Sequence, residues 1–211
     1  MRPILALSDR NVNVKRKVKQ IAEIQIGYQF REKLDTTSDG KYQVVQAKDI
    51  DQLADHRLNT SNLYCVTPKR SAEKYEVKNR DVIFLSKGRR NYATFITGLE
   101  DNIKTIVAGY FFILRLKCND IIPAYLSWSI NQSPAQNYLQ SVSRGSGMPF
   151  IPKDAFTSLE VYVPPINVQE QIIKLYELSL QESMLLKQLE EKKSKLISRI
   201  CIEAAKRKQE M

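Results

Sequence analysis

MPFIPKDAFTSLEVYVPPINVQEQIIKLYELSLQESMLLKQLEEKKSKLISRICIEAAKR, residues Met148–Arg207, changes character at the Pro164-Pro165 pair. Before the pair, Leu159, Val161 and Val163 alternate with Glu160 and Tyr162, which places the apolar side chains on one face of a short strand. The two prolines stop anything helical from running through them. After the pair the apolar period becomes helical. Asn167 can cap the first turn, and Glu170 can reach back to the cap amide. No Gly follows Gly147 and no Pro follows Pro165. The sequence therefore predicts an unbroken helix from Val168 to about Arg207, roughly 60 Å long at 1.5 Å per residue, which should project from a body.

Along this helix, a ladder of alternating three- and four-residue steps runs Ile172, Leu175, Ser179, Glu182, Leu186, Leu189, Lys193, Leu196, Ile200, Glu203. Six of these ten are apolar, too many for a solvated spike and too few for a dry coiled-coil seam. Ile173, Leu178, Leu185 and Ile197 widen the stripe. Either the helix folds back on its own domain or it docks on a second helix from another chain or domain. In the second case Ile172, Leu175, Leu186, Leu189, Leu196 and Ile200 form the interface.

With 211 residues, 43% of them hydrophobic, the chain can bury one core and carry an appendage. The apolar run in MRPILALSDR is too short for a signal peptide, and no stretch approaches bilayer length, so a soluble cytoplasmic protein is expected. Cys65, Cys118 and Cys201 are scattered and odd in number, with His56 the only histidine. Neither a disulfide framework nor a metal site is supported, and the thiols are expected to be buried or half-buried. The formal net charge is +10. Up to Asn167 there are 24 Lys and Arg against 16 Asp and Glu; from Val168 onward there are 9 against 7. The excess sits in the body, which suggests that the body meets a polyanion while the helix meets protein.

Residues 1–13 lack periodicity and read as a lead-in, and 208–211 as a tail. Val14, Val18, Ile21 and Ala22 stand at helical spacing with Lys15, Arg16, Lys17 and Lys19 opposite, followed by strand-like Ile24 and Ile26 and a break at Gly27. Asp39-Gly40 reads as a turn into a strand through Tyr42, Val44 and Val45. The polar segment from His56 to Val77 reads as loop. NRDVIFLSKGRRNYATFITG predicts a hairpin of Val82–Leu85 and Tyr92–Ile96 with a cationic tip at Lys87–Arg90. TIVAGYFFILRLK is a strongly apolar strand broken at Gly109, its aromatics read as core. Ile122-Pro123 opens a helix interrupted at Pro134, and SRGSGMPFIPKDAF is a Gly-rich loop with a short helical turn. The expected class is α+β: a mixed-sheet domain over 14–165, then a long helix over 166–207 that pairs as a coiled coil or helical bundle.

VKQIAEIQIGYQF, VVQAKDI, NRDVIFLSKG, IVAGYFFILRL, AYLSWSINQSPAQNYLQ, SRGSG and VYVPPINVQEQI follow one another over roughly residues 14–200. In this order they resemble the specificity subunits of type I restriction–modification systems, namely one target recognition domain with its following helix. The resemblance implies a non-catalytic reader of one half of a split site in double-stranded DNA. It also implies a helix that acts as ruler and dock for modification subunits, with a restriction subunit as a further partner. S-adenosylmethionine would then be bound by the adenine-methylating partner, and no cofactor by this chain. A full subunit has two recognition domains where this sequence has one, so the resemblance is to a half-subunit. Pairing with a second copy or another half through the helix would restore the architecture.

Sequence readout needs donors and acceptors that reach base edges from loops fixed by a sheet, with Lys and Arg placing the phosphates. The candidates are Lys87, Arg89 and Arg90 at the hairpin tip; Tyr28, Gln29 and Arg31 after Gly27; Gln46 and Lys48 after the VV strand; and Arg144 with Ser146 in the Gly-flanked loop. A metal-dependent nuclease is the enzymatic competitor, because Gln46-Ala47-Lys48 resembles half of such a core with Asp39 upstream. Asp39, however, sits in an Asp-Gly turn, where its usual job is turn formation. A methyltransferase would need a polar residue before a Pro-Pro-aromatic turn, and the only Pro-Pro pair here is flanked by Val163 and Ile166. A basic module that binds RNA or an acidic protein without DNA sequence specificity is the remaining alternative.

Overall fold

The computed structural model describes residues 14–30, 40–51 and 56–207. In chain order these form β1 (Val14–Lys17), α1 (Val18–Ile21), β2 (Ala22–Ile26), β3 (Tyr42–Val45), β4 (Ile50–Asp51), β5 (Arg57–Leu58), β6 (Tyr64–Val66), β7 (Glu76–Val77), β8 (Val82–Leu85), β9 (Ala93–Phe95), β10 (Thr105–Val107), β11 (Phe111–Leu116), α2 (Pro123–Asn131), α3 (Ser133–Val142), α4 (Lys153–Ser158), β12 (Glu160–Val163) and α5 (Ile166–Arg207). The class is α+β, with mixed and antiparallel sheets and a long C-terminal helix.

Two four-stranded sheets, β2-β11-β8-β9 and β6-β3-β10-β7, carry the domain. Only the β10–β3 pair is parallel among the described strands. The apolar runs VIFL and FFIL do not alternate with polar residues because both faces of β8 and β11 are covered. Val82, Phe84, Phe112 and Leu114 enter a core shared with α1, α2, α3 and α4. Ile83, Leu85, Phe111 and Ile113 enter a second core with Val45 and Val107 of the other sheet. Val44 and Ile106 face a third cluster containing Tyr28.

The chain passes between the sheets at Gly27-Tyr28 and at Ala108–Tyr110. Gly27 N–H donates to Phe111 O (2.9 Å), Tyr28 N–H to Val107 O (2.8 Å) and Ala108 N–H to Val45 O (3.1 Å). A Cβ at Gly27 would lie 2.4 Å from Ala108 O, so this approach of backbone to backbone requires glycine.

Local period misleads at the start of the chain. Val14–Lys17 is a strand, not the opening of a helix, because β12 pairs with it antiparallel from Val14↔Val163 to Lys17↔Glu160. The helix expected there shrinks to the single turn α1, in which Val18 and Ile21 are buried. The His56–Val77 segment, expected as loop, holds the short strands β5, β6 and β7, whose partners are likewise supplied from elsewhere.

The helix α5 begins at Ile166, two residues before the expected start. Pro165 O accepts from Val168 N–H (2.9 Å) and Gln169 N–H (3.1 Å), so Asn167 lies within the first turn and does not cap it. The polar anchor is instead Gln169, which is fully buried. Its Nε2 donates to Asp120 O (2.8 Å) and Pro164 O (2.7 Å), and its Oε1 accepts from Ile122 N–H (2.8 Å). Ile122 precedes α2, whose first residue is Pro123, so one carboxamide ties the start of α5 to the start of α2. Gln169→Leu keeps the volume but strands an N–H and two carbonyls. It is expected to cost about 2–4 kcal/mol, measurable as a lower midpoint in urea unfolding with an unchanged slope.

The chain divides into two compact units, Met1–Ile173 and Lys174–Met211. Ile172 and Ile173 pack against the helix-covered core of the first unit. Ile172, expected in the helix interface, is thus half-buried against the domain core. In the second unit none of the side chains described is buried. Leu175, Leu186, Leu189, Leu196 and Ile200 are all exposed there, with Leu178, Leu185 and Ile197 beside them. Cys65 and Cys118 are half-buried, whereas Cys201, expected at least half-buried, is exposed on this helix. No helix among the described residues is long and apolar enough to cross a membrane.

Candidate nucleic-acid interface

The hairpin of β8 and β9, in register at Val82↔Phe95, Ile83↔Thr94 and Phe84↔Ala93, holds Lys87–Arg90 at its tip. Ser86, at the base of the tip, is buried; its N–H and Oγ both donate to Tyr110 O, at 2.9 and 2.7 Å. Lys87, Arg89 and Arg90 are exposed.

A second loop is stitched to this tip. Arg144 and Phe150 exchange backbone hydrogen bonds (3.0 and 2.8 Å), pinching off Gly145–Pro149. Gly88 N–H then donates to Pro149 O (2.8 Å), and Ile151 N–H to Ser86 O (2.7 Å). Gly145 takes φ +90°, which a side chain at that position would strain. Arg144 and Ser146 are exposed, as is Met148 at 72%. Two segments that the sequence offered separately thus form one surface, joined through main-chain atoms.

The tip borders two concavities. Lys87 lines one of about 240 Å³ with Gln29, Phe30, Gln46, Gly109 and Tyr110. It lies where the chain crosses between the sheets, which explains why residues far apart in sequence meet there. Gln29 Nε2 donates to Gly109 O (2.8 Å), fixing that carboxamide. The Gln46 main chain is held by Asp49, whose carboxylate accepts its N–H at 2.8 Å. Burial pushes the Asp49 pKa up, against that hydrogen bond and Lys48. The Tyr110 hydroxyl accepts from Ala47 N–H (3.3 Å), and burial raises its pKa, so the phenol stays protonated. Gln46 Nε2 is enclosed without a hydrogen-bond partner among the described residues, a state that costs about 1–3 kcal/mol.

Arg89 and Arg90 line the other concavity, a groove of about 370 Å³ with His56, Asn91, Gln136 and Gln140. Its floor is rigid. Asn91 Nδ2 donates to Leu85 O (2.9 Å), Asn131 exchanges two hydrogen bonds with the Ala93 main chain, and Tyr92 stacks on His56 with centroids 4.2 Å apart. The sequence reads here only as a helix interrupted at Pro134, without Gln136 and Gln140 among the candidates. Their four-residue spacing, which puts both on one face of a helix, was the available signal.

The remaining candidates divide. Tyr28 is a correction: its ring is buried, edge-on to Phe30 and Tyr75 (4.7 and 5.3 Å), so it belongs to the core and not to a reading surface. Lys48 is exposed but lies over the Tyr64 ring, 3.1 Å from its centroid, and does not line the Gln29–Gln46–Lys87 concavity. Arg31 and Asp39 lie outside the described residues.

Among the described residues, neither concavity beside the tip has an acidic lining residue. The larger cleft elsewhere in the domain, about 830 Å³, is lined by Glu73, Glu76 and Asp81 together with Lys78, Arg80 and Arg115. Its charges are largely matched internally: Arg115 lies 3.6 Å from Asp81, and Lys104 lies 3.1 Å from Glu76. Burial nevertheless holds the Asp81 pKa up. That cleft offers a polyanion no net attraction, whereas the hairpin tip does. Cations and amides on a rim with no acidic lining residue among the described residues, fixed by backbone hydrogen bonds to doubly covered strands, form a surface suited to a polyanion.

Comparison with known proteins makes the class specific. The family model for the type I restriction modification DNA specificity domain matches residues 11–192, and the chain belongs to that family. The S subunit of the type I restriction-modification system from M. genitalium is similar in fold, with TM-score 0.55 and 14% identity over 84% of this chain and 41% of that one. The HsdS subunit from Thermoanaerobacter tengcongensis aligns with TM-score 0.55 and 13% identity over 87% and 41%. A chain from a structure on complex assembly and conformational transition of the type I R-M system gives TM-score 0.63 and 14% identity over 92% and 45%. This chain thus spans less than half the length of the solved chains it resembles. Among curated protein sequences no match is found.

Proposed function

We propose that this chain is a DNA-reading, non-catalytic part of a type I specificity subunit. It recognises one half of a split site in duplex DNA and directs partner adenine-methyltransferase and restriction subunits to it. The observation that carries this is the union of two loops, Ser86–Arg90 and Arg144–Ile151, into one exposed, cation-rich surface whose concavities have no acidic lining residue among the described residues. Phosphate contacts from Lys and Arg would set the position and the carboxamides would supply readout.

S-adenosylmethionine belongs to the modification subunit in this proposal, and the assembly works in the cytoplasm. The exposed apolar residues of α5 from Leu175 to Ile200 pair with the corresponding helix of a second copy or of another half-subunit. The test is co-expression with a type I modification subunit from the same genome, followed by mapping of methylated adenines across the genome. A defined sequence around every methylated adenine is expected. Methylation without a defined sequence, or binding indifferent to DNA sequence, would favour an RNA- or protein-binding module and end the proposal.

A further inference from the structure

The Gly145–Pro149 loop adds to the candidate surface what its cations and amides lack, an apolar contact. Met148 is 72% exposed, whereas the next large apolar side chains described in the Met1–Ile173 unit, Val14 and Tyr162, reach 49%. One exposed apolar residue is ordinary on a protein surface. The main chain beneath this one, however, is held from two sides. Arg144 and Phe150 close the loop with paired backbone hydrogen bonds, and Pro149 O, next in the chain, accepts from Gly88 N–H of the hairpin tip. A Cβ at Gly145, where φ is +90°, would lie 3.0 Å from Met148 O, so the turn folds tightly against the backbone of residue 148. A Cβ at Gly147 would meet nothing within 4 Å, so no bulk at that neighbour keeps a flat surface away from Met148.

The company of this side chain decides what covers it. Arg144 on the same loop and Lys87, Arg89 and Arg90 on the tip are exposed cations that draw a polyanion. On duplex DNA the apolar group that a base edge offers is the C5-methyl of thymine, in the major groove. The other apolar contact open to a protein is a wedge driven between base steps against their stacking. A wedge needs bracing from behind, and Met148, with three rotatable bonds and most of its surface free, has little. The same flexibility lets a thioether settle on a methyl group.

We propose that Met148 reads one thymine of the half-site through its C5-methyl group. The inference rests on the DNA-reading function proposed above. Cytosine carries only a hydrogen at C5, and an inverted A·T pair moves the methyl to the other strand, so the contact selects both the base and its strand.

The experiment uses the full chain assembled with a type I modification subunit from the same genome. Once the methylated motif is known, each thymine of the half-site, on both strands, is replaced in turn by deoxyuridine, which pairs identically and lacks only the methyl group. At one position affinity should fall about fourfold, the value of burying one methyl group. Met148→Ala should lose a similar factor on the thymine duplex and become indifferent to deoxyuridine at that position, a coupling that a merely structural role would not produce. Met148→Leu keeps an apolar side chain and should retain the preference for thymine. Tolerance of deoxyuridine at every position, an unchanged affinity in Met148→Ala, or two losses that simply multiply overturns the inference. So does failure of Met148→Ala to assemble with the modification subunit, which would put a protein on this loop. A rise in 2-aminopurine fluorescence on binding that is lost in Met148→Ala would reveal a wedge and overturn it too. A wild-type assembly with no defined motif instead overturns the function on which it rests.

Discussion

Replacing Lys87, Arg89 and Arg90 together by Ala should weaken binding to the cognate duplex by about 100-fold or more, since each lost base or phosphate contact is worth roughly 1 kcal/mol or more. The three side chains are exposed, and the tip that carries them is fixed by main-chain bonds from Ser86 and Gly88. Truncation therefore removes contacts without removing the support beneath them, and thermal unfolding of the variant should match the parent. Electrostatics adds a second signature. Every phosphate contact releases condensed counterions, so the slope of log affinity against log salt should become shallower by about one for each cation that touched a phosphate. Fluorescence anisotropy at several salt concentrations measures both. Unchanged affinity and slope would remove the hairpin tip from the interface.

Leu186→Asp combined with Leu189→Asp should abolish helix pairing while leaving the α+β domain folded. The two leucines are 59% and 63% exposed within the chain, so neither contributes to its core. In a paired helix each would be buried, contributing about 1.5–3 kcal/mol, and a carboxylate placed in that seam adds a desolvation penalty. The combined loss is large enough to dissociate a micromolar complex. Light scattering should report the mass of a single chain, with an unchanged unfolding midpoint for the domain. A variant that keeps the parent's assembly mass would show that pairing does not use this face.

Much of the fold was legible because its strongest signals are local. The strand VIFL, the break at Gly109, the Pro-interrupted helix pair and the change of period at Pro164-Pro165 each depend on neighbours within a few residues. What local pattern could not show was which partner a segment would find. Val14–Lys17 sits beside apolar residues at helical spacing, yet becomes a strand because β12, far along the chain, pairs with it. Asn167 is a good cap by type, but a buried carboxamide two residues later, bonded to atoms near residue 120, sets the junction.

The candidate surface divides in the same way. Exposed cations at a hairpin tip follow from turn chemistry, so Lys87, Arg89 and Arg90 could be picked out as a group. Their separation into two concavities follows from the crossing of the chain between sheets, which no spacing encodes. Tyr28 illustrates the converse error. An aromatic beside a glycine break looks available, but Gly27 brings the backbone so close to Ala108 that the ring is drawn inside. Ile172 is half-buried for a related reason, because the first turns of α5 still belong to the domain.

The stitching of Gly88 to Pro149 and of Ile151 to Ser86 also limits how such a surface can be re-engineered. A graft that imports a foreign hairpin tip alone would leave an amide and a carbonyl of the neighbouring loop facing groups they never matched. Transplants intended to change the recognised sequence must carry residues 86–91 and 144–151 together, as a single cassette.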